Sequence, residues 1–190
     1  MNRHERRRQK KSNKLNQTVN PDLLQGIKLH TNKNYKEAEV LYNRVLLSEP
    51  TNYEALRHLG ILCQDLKEYE RAYNYFMQAL KTNPKGFQAL SNLATIHMLN
   101  KNYDLAHKCL INSFKINSNY VPTINNLASY YHKVHDPKNA LHYAELSLSI
   151  QPNNPLALIQ YAKALTTVSY THLRAHETRG NLVCRLLLEK

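Results

Sequence analysis

Residues 53–86 read YEALRHLGILCQDLKEYERAYNYFMQALKTNPKG, and this stretch sets the period of the chain. Residues of the same kind recur in the same 34-residue register before and after it. They are a small residue at Gly26, Gly60, Ala94, Ala128 and Ala162, an alanine at Ala38, Ala72, Ala106 and Ala140, a tyrosine at Tyr35, Tyr69 and Tyr103, and a proline at Pro50, Pro84 and Pro152. Such a period predicts a stack of similar units.

Each unit is predicted to be a pair of antiparallel helices, here called helix A and helix B. Small residues at positions 8 and 20 of the unit let the helices approach closely, an aromatic residue at position 24 fills the space beside them, and a proline at position 32 stops helix B. In the fourth unit Asp136 and Pro137 replace the tyrosine and still begin a helix. We predict helices near 21–32, 36–48, 53–66, 69–82, 87–100, 103–116, 121–134 and 137–150, and a ninth from about 155.

The 53–86 unit resembles the tetratricopeptide repeat (TPR). The residues that carry the resemblance are Leu56, Leu59, Gly60, Tyr69, Ala72, Phe76, Ala79 and Pro84. The other units match less fully, since Asp22 and Gln25 stand where leucines belong and Ser118 replaces a proline. The resemblance implies an all-α, right-handed TPR α-solenoid over residues 19–166, with full repeats at 19–52, 53–86, 87–120 and 121–154 and the first helix of a fifth at 155–166.

The periodic pattern stops inside the fifth unit. Arg174 stands where the alanine of helix B belongs, Thr178 replaces the aromatic residue and Asn181 the following small one. Residues 168–190 are similar to a translation of sequencing-library adapter DNA. We therefore expect residues 167–190 to be a non-native tail and the natural sequence to continue beyond Thr166. The alternative is a degenerate final helix pair that caps the array.

The net charge of +12 is concentrated at the N-terminus, because residues 1–16 carry seven basic side chains and one acidic one. We expect residues 1–18 to be a disordered, solubilising arm. Contact with the phosphates of a nucleic acid, or with an anionic membrane, is the alternative. The basic residues of the arm are Arg3, Arg6, Arg7, Arg8, Lys10, Lys11 and Lys14.

Composition argues against several classes of protein. No run of about eighteen apolar residues predicts a membrane span, and the N-terminus lacks the apolar segment of a signal peptide, so we expect a cytoplasmic location. The three cysteines have no metal-ligand spacing, and the four glycines form no phosphate-binding loop. His132 and His135 are three residues apart, but solvated histidines are favoured over a metal site. We predict no catalytic residue, metal or cofactor in this part of the protein.

One polar row recurs at position 6 of helix A, in His58, Asn92, Asn126 and Gln160. Solenoids bind on the concave face, which the A helices line, and amide side chains can pair with the backbone of an extended peptide. The row is similar to the asparagine ladder in the TPR domain of protein O-GlcNAc transferases. Of the four residues in the row, only Asn92 and Asn126 match that ladder strictly. The alternative is coincidence in an asparagine-rich chain. The other predicted peptide-binding residues are Arg57, Asn125 and Ser129.

These observations predict a scaffold that holds a peptide or protein segment in the concave groove of a TPR array, without enzymatic activity of its own. The basic pattern of TPR clamps for a C-terminal carboxylate is not matched, because Arg57 has no basic companion in the third unit. The resemblance also implies an alternative, since bacterial proteins of this kind often continue into a glycosyltransferase or sulfotransferase domain. The chain would then be the substrate-binding part of a truncated enzyme.

Overall fold

A computed structural model describes residues 20–167, and this range contains nine helices and no strand. Residues 1–19 and 168–190, which hold the predicted arm and tail, lie outside the described residues. The first eight helices agree with the predicted bounds to within one residue. They are α1 (Pro21–Thr31), α2 (Tyr35–Ser48), α3 (Tyr53–Asp65), α4 (Tyr69–Thr82), α5 (Phe87–Leu99), α6 (Tyr103–Ile116), α7 (Val121–Lys133) and α8 (Pro137–Ile150), followed by α9 (155–167).

The chain divides into two compact units, Met1–Asn92 and Leu93–Lys190, and the boundary falls within α5. In the first unit α1 packs on α2, α3 on α4, and α2 also on α3. In the second unit α7 packs on α8, and α6 on α7. These contacts confirm three of the predicted helix pairs, α1–α2, α3–α4 and α7–α8. Within residues 20–167, no helix has the length and apolar character that crossing a membrane would require.

The core of the first unit forms where helix A meets helix B. Tyr42 is fully buried, and a β-carbon placed on Gly26 would lie 2.7 Å from its Cε1 atom. The glycine on α1 therefore makes room for the aromatic ring on α2, as the spacing predicts. In the second unit the equivalent core contains Ala94, Met98, Ala106, Leu110, Leu127 and Tyr130.

The turns between helix A and helix B repeat one backbone conformation. The residues Lys33, Lys67, Lys101 and His135 all have φ between 60° and 64°. After α3, the N–H of Lys67 donates to the carbonyl of Gln64 at 3.0 Å, and the N–H of Glu68 to that of Cys63 at 2.8 Å. This pair of hydrogen bonds is a Schellman motif, in which the left-handed position normally favours glycine. The chain uses a lysine or a histidine there instead.

Polar side chains cap the N-termini of several helices. The Oδ1 atom of Asn52 accepts from the N–H of Ala55 at 2.9 Å at the start of α3. Gly86, which precedes α5, has no side chain to do this. There the hydroxyl of Tyr53 accepts from the N–H of Ala89 at 3.3 Å. Because a β-carbon on Gly86 would lie 2.5 Å from that hydroxyl, the glycine lets Tyr53 of one repeat cap the first helix of the next.

Candidate peptide-binding groove

A groove of about 360 Å³ lies between α1 and α3 in the first unit. Both helices are A helices, so the groove is on the side of the repeats where the sequence predicts peptide binding. Its lining residues come from both helices, from the turn after α1 and from the start of α2. They are Ile27, His30, Thr31, Lys33, Tyr35, His58, Ile61 and Asp65.

The groove combines an apolar surface with polar side chains. Ile27 and Ile61 occupy the same position of successive repeats and are both half-buried. Thr31 and Asp65 also occupy equivalent positions, and the side chain of Asp65 is 48% exposed. An apolar side chain of a ligand could therefore be buried against the isoleucines, while the polar side chains of the groove form hydrogen bonds with the ligand backbone.

His30 joins the two walls of the groove. Its Nε2 atom lies 3.0 Å from Oδ2 of Asp65, which connects α1 to α3. Its Nδ1 atom lies 3.4 Å from the hydroxyl of Tyr42. Burial raises the pKa of Tyr42 to about 12, although nearby Arg57 opposes the shift, so this hydroxyl stays protonated at neutral pH. Both ring nitrogens of His30 thus have partners.

His58, in the predicted polar row, is held in a fixed orientation. Its ring stacks on Tyr42 with centroids 5.6 Å apart, and its Nε2 atom lies 2.8 Å from Nη2 of Arg57. Burial lowers the pKa of His58 to about 3, and the neighbouring Arg57 and His30 add to the effect. The imidazole is therefore neutral and accepts from Arg57, whose other contact is Glu54 Oε2 at 2.6 Å from Nη2.

Two residues of the predicted row, Asn126 and Gln160, and the predicted binding residue Ser129 lie in the second unit. The Nδ2 atom of Asn126 on α7 donates to Oγ1 of Thr95 on α5 at 3.3 Å, so the row contacts the preceding A helix. Ser129 is half-buried on α7. Gln160 on α9 is half-buried, and its Oε1 atom has no hydrogen-bond partner among the described residues. Asn92, on the part of α5 that belongs to the first unit, is also half-buried.

Asn125 differs from the other predicted binding residues. It is buried, and its Oδ1 atom accepts from Oγ of Ser147 on α8 at 2.7 Å. This places its amide oxygen toward helix B of its own repeat. The amide oxygen of Asn125 is therefore engaged within its own repeat.

The cysteines of the described residues pack beside the helix seams. Cys63 is fully buried, and burial raises the pKa of its thiol to about 11. Burial also raises the pKa of the half-buried Cys109. Both shifts favour the thiol over the reactive thiolate. In the part of the chain from 20 to 167, no three His, Cys, Asp or Glu side chains are grouped as metal ligands would be.

Three residues important to the groove are absent from the predicted site, namely Ile27, His30 and Ile61. The 34-residue interval between Ile27 and Ile61 was a usable signal, since it places both on the same side of successive A helices. His30 had no such signal, because its partners Asp65 and Tyr42 come from two other helices.

Comparison with known proteins supports this fold. Residues 53–85 match the family model of the tetratricopeptide repeat. None of the curated proteins matches the chain. Pseudomonas aeruginosa PilF is a similar solved structure, with a TM-score of 0.71, 21% identity, and coverage of 78% of this chain and 68% of PilF. A structure of MamA has a TM-score of 0.61 at 21% identity, covering 76% of this chain and 79% of MamA.

A third similar structure is the first TPR of Spaghetti (RPAP3), which was solved bound to the HSP90 peptide SRMEEVD. Its TM-score is 0.58 at 16% identity, and the match covers 62% of this chain and 93% of that one. At these identities the likeness establishes the fold. The described residues form an all-α TPR solenoid.

Proposed function

We propose that this protein is a TPR scaffold that binds an extended segment of another polypeptide along its A helices. The observation that carries the proposal is the α1–α3 groove, where Ile27 and Ile61 offer apolar contact beside Thr31 and Asp65. The peptide carried by the RPAP3 structure supports the idea that a TPR of this fold can hold such a segment.

In this proposal the ligand is held by two kinds of contact. An apolar side chain packs on Ile27 and Ile61, and amides at position 6 bind the ligand backbone. In the unit that holds the groove, position 6 is occupied by His58 and Asn92, and in the second unit it is occupied by Asn126 and Gln160. A surface of this kind selects an extended backbone and an apolar anchor more than a particular charge.

The groove is tested by selecting peptides from a random library against the full chain and measuring their affinity by calorimetry. Ile61→Glu should weaken a selected peptide at least tenfold, because it places a charge on the apolar surface of the groove. Val40→Glu is the matched control, since Val40 is 58% exposed on α2, outside the groove. If no peptide is enriched, or if both variants bind equally well, the proposal is wrong.

The amide row needs a separate test. The double variant Asn92→Ala with Asn126→Ala should lose about 1 to 3 kcal/mol of binding free energy for a selected peptide. Asn43→Ala, at an exposed position of α2, should leave the affinity unchanged. Equal affinity for wild type and the double variant would remove the row from the binding surface while leaving the groove in place.

A further inference from the structure

Asp65 contributes a carboxylate to the α1–α3 groove. Its side chain is 48% exposed, and its Oδ2 atom lies 3.0 Å from Nε2 of His30 on the opposite wall. The other carboxylate oxygen, Oδ1, has no hydrogen-bond partner among residues 20–167. The side chain of His30 is only 10% exposed, and its Nδ1 atom lies 3.4 Å from the hydroxyl of Tyr42. A well-packed histidine therefore holds Asp65 in place, while one carboxylate oxygen stays open to a ligand.

The pair of His30 and Asp65 is not part of the repeat pattern. His30 is at position 12 of its repeat, and Asp65 is at position 13 of the next one. The equivalent pairs further along the chain are Gln64 with Leu99 and Met98 with Lys133. Neither of them can form an ion pair. The carboxylate is therefore particular to this groove.

Asp65 is better placed than Lys33 to bind a charged group of a ligand. Lys33 also lines the groove, but it is exposed and makes no ion pair within the described part of the chain. Ordering its long side chain on a ligand would cost conformational entropy. His30 already orients the carboxylate of Asp65, so a cation bound there costs less ordering. The nearby Arg57 is already paired with Glu54.

The separation of Asp65 and Ile61 sets the spacing of the ligand residues. They are four positions apart on α3, so they lie on the same side of the helix, about 6 Å apart along its axis. In an extended segment, side chains two positions apart project to the same side and are separated by about 7 Å. When such a segment runs along the A helices with an apolar side chain on Ile61, the side chain two positions away lies beside Asp65.

We propose that Asp65 selects a lysine or arginine of the bound segment, two positions from the apolar residue that packs on Ile61. This inference rests on the proposed function and adds a charge to what the groove recognises. The isoleucines and the amides of position 6 carry no charge preference of their own. The ligand class is therefore an extended segment that combines an apolar anchor with a nearby cation, which pairs with the open oxygen of Asp65.

Peptides selected from a random library against the full chain should carry the basic residue at this spacing. For one such peptide, calorimetry should show affinity weaker by about tenfold or more for Asp65→Arg, because like charges then meet. Glutamate in place of the basic residue of the peptide should restore binding to this variant. Asp104→Arg is the matched control, since Asp104 is an exposed aspartate on α6, outside the groove, and it should bind like wild type. Circular dichroism checks that both variants are folded.

Asp65→Asn is a milder variant that removes the charge and keeps the size of the side chain. It should weaken the basic peptide by about threefold. Equal affinity of wild type and both Asp65 variants, or selected peptides without the basic residue, would overturn the inference. If Ile61→Glu still weakens those peptides, the proposed function stands without it. Acidic peptides whose binding Lys33→Asn abolishes would place charge recognition on Lys33 and overturn it as well. A selection that enriches no peptide refutes the proposed function itself.

Discussion

The ring of Phe76 lies directly against the backbone of Gly60, so that a β-carbon on Gly60 would come within 2.5 Å of Cε1 of the ring. The same relationship joins Gly26 and Tyr42 in the first repeat. Where position 8 is alanine, position 24 holds a smaller residue. These pairs are Ala94 with Leu110 and Ala128 with Ala144. The size of the residue at position 8 is thus matched to the size of the residue at position 24 in the same repeat.

This matching predicts energetic coupling between Gly60 and Phe76. Gly60→Ala gains helix propensity but forces the buried ring aside, and it should cost about 1 to 2 kcal/mol of unfolding free energy. In a Phe76→Leu background the same substitution should cost less, because leucine leaves room for the methyl group. Urea unfolding of the four proteins gives the coupling energy. An identical cost of Gly60→Ala in both backgrounds would contradict the packing described above.

The left-handed turn residues predict a stabilising substitution. Lys67 has φ of 63°, a conformation that glycine adopts without strain. Lys67→Gly should therefore raise the unfolding free energy by about 1 kcal/mol. Lys108→Gly provides the control, since Lys108 is an exposed residue in the middle of α6, where glycine should instead cost about 0.5 to 1 kcal/mol. Loss of stability in Lys67→Gly would show that the lysine side chain has a role in the turn.

His58 predicts a loss of stability in acid. Its pKa is lowered to about 3 in the folded protein, whereas an unfolded histidine takes up a proton near pH 6.5. The unfolded state therefore binds more protons once the pH falls below 6.5, and stability present above that pH decreases toward pH 3, by up to about 1.4 kcal/mol per pH unit. Burial lowers the pKa of His97 as well, and this residue adds to the effect.

The His58 contribution can be isolated with His58→Asn, which installs the residue found at Asn92 and Asn126. Chemical unfolding at pH 7.0 and pH 5.0 should show a smaller loss of stability for this variant than for wild type. His142→Asn, at an exposed position of α8, should keep the wild-type loss. The account of His58 fails if His58→Asn loses as much stability as wild type does.

Because the hydroxyl of Tyr53 caps α5, removing this hydroxyl should lower the stability of the protein. Tyr53→Phe keeps the ring but leaves the N–H of Ala89 without this acceptor, so stability should fall by about 0.5 to 2 kcal/mol. Tyr69→Phe, at the start of α4, tests the general effect of losing a tyrosine hydroxyl. Thermal unfolding followed by circular dichroism measures both variants. Equal melting temperatures for Tyr53→Phe and wild type would rule out a capping role.

Much of the fold was predictable, because packing of helix A on helix B depends on residues at fixed intervals. The small residues and the aromatic at position 24 gave both the helix bounds and the register. The left-handed turns were not predictable in this way, since Lys33, Lys67 and Lys101 carry none of the signal that a glycine would give. In these turns the hydrogen bonds of the Schellman motif determine the backbone conformation.

The candidate site was predicted less completely than the fold, because it depends on contacts between repeats. Periodicity identified His58 and Asn126, whose neighbours in the structure include Tyr42 and Thr95. It could not show that the hydroxyl of Ser147 would donate a hydrogen bond to the amide oxygen of Asn125, since this contact joins positions with no shared period. The link from His30 to Asp65 is likewise a pair of residues that only the packed helices bring together.

A polypeptide segment bound between α1 and α3 can be detected by site-specific photocrosslinking. The full chain carries p-benzoylphenylalanine in place of Ile61 in one sample and in place of Val40 in the other, and each is irradiated with a peptide selected for binding to the wild type. We predict a crosslinked product from position 61 and none from position 40. Crosslinking from position 40 alone, or from neither position at saturating peptide, would contradict the claim.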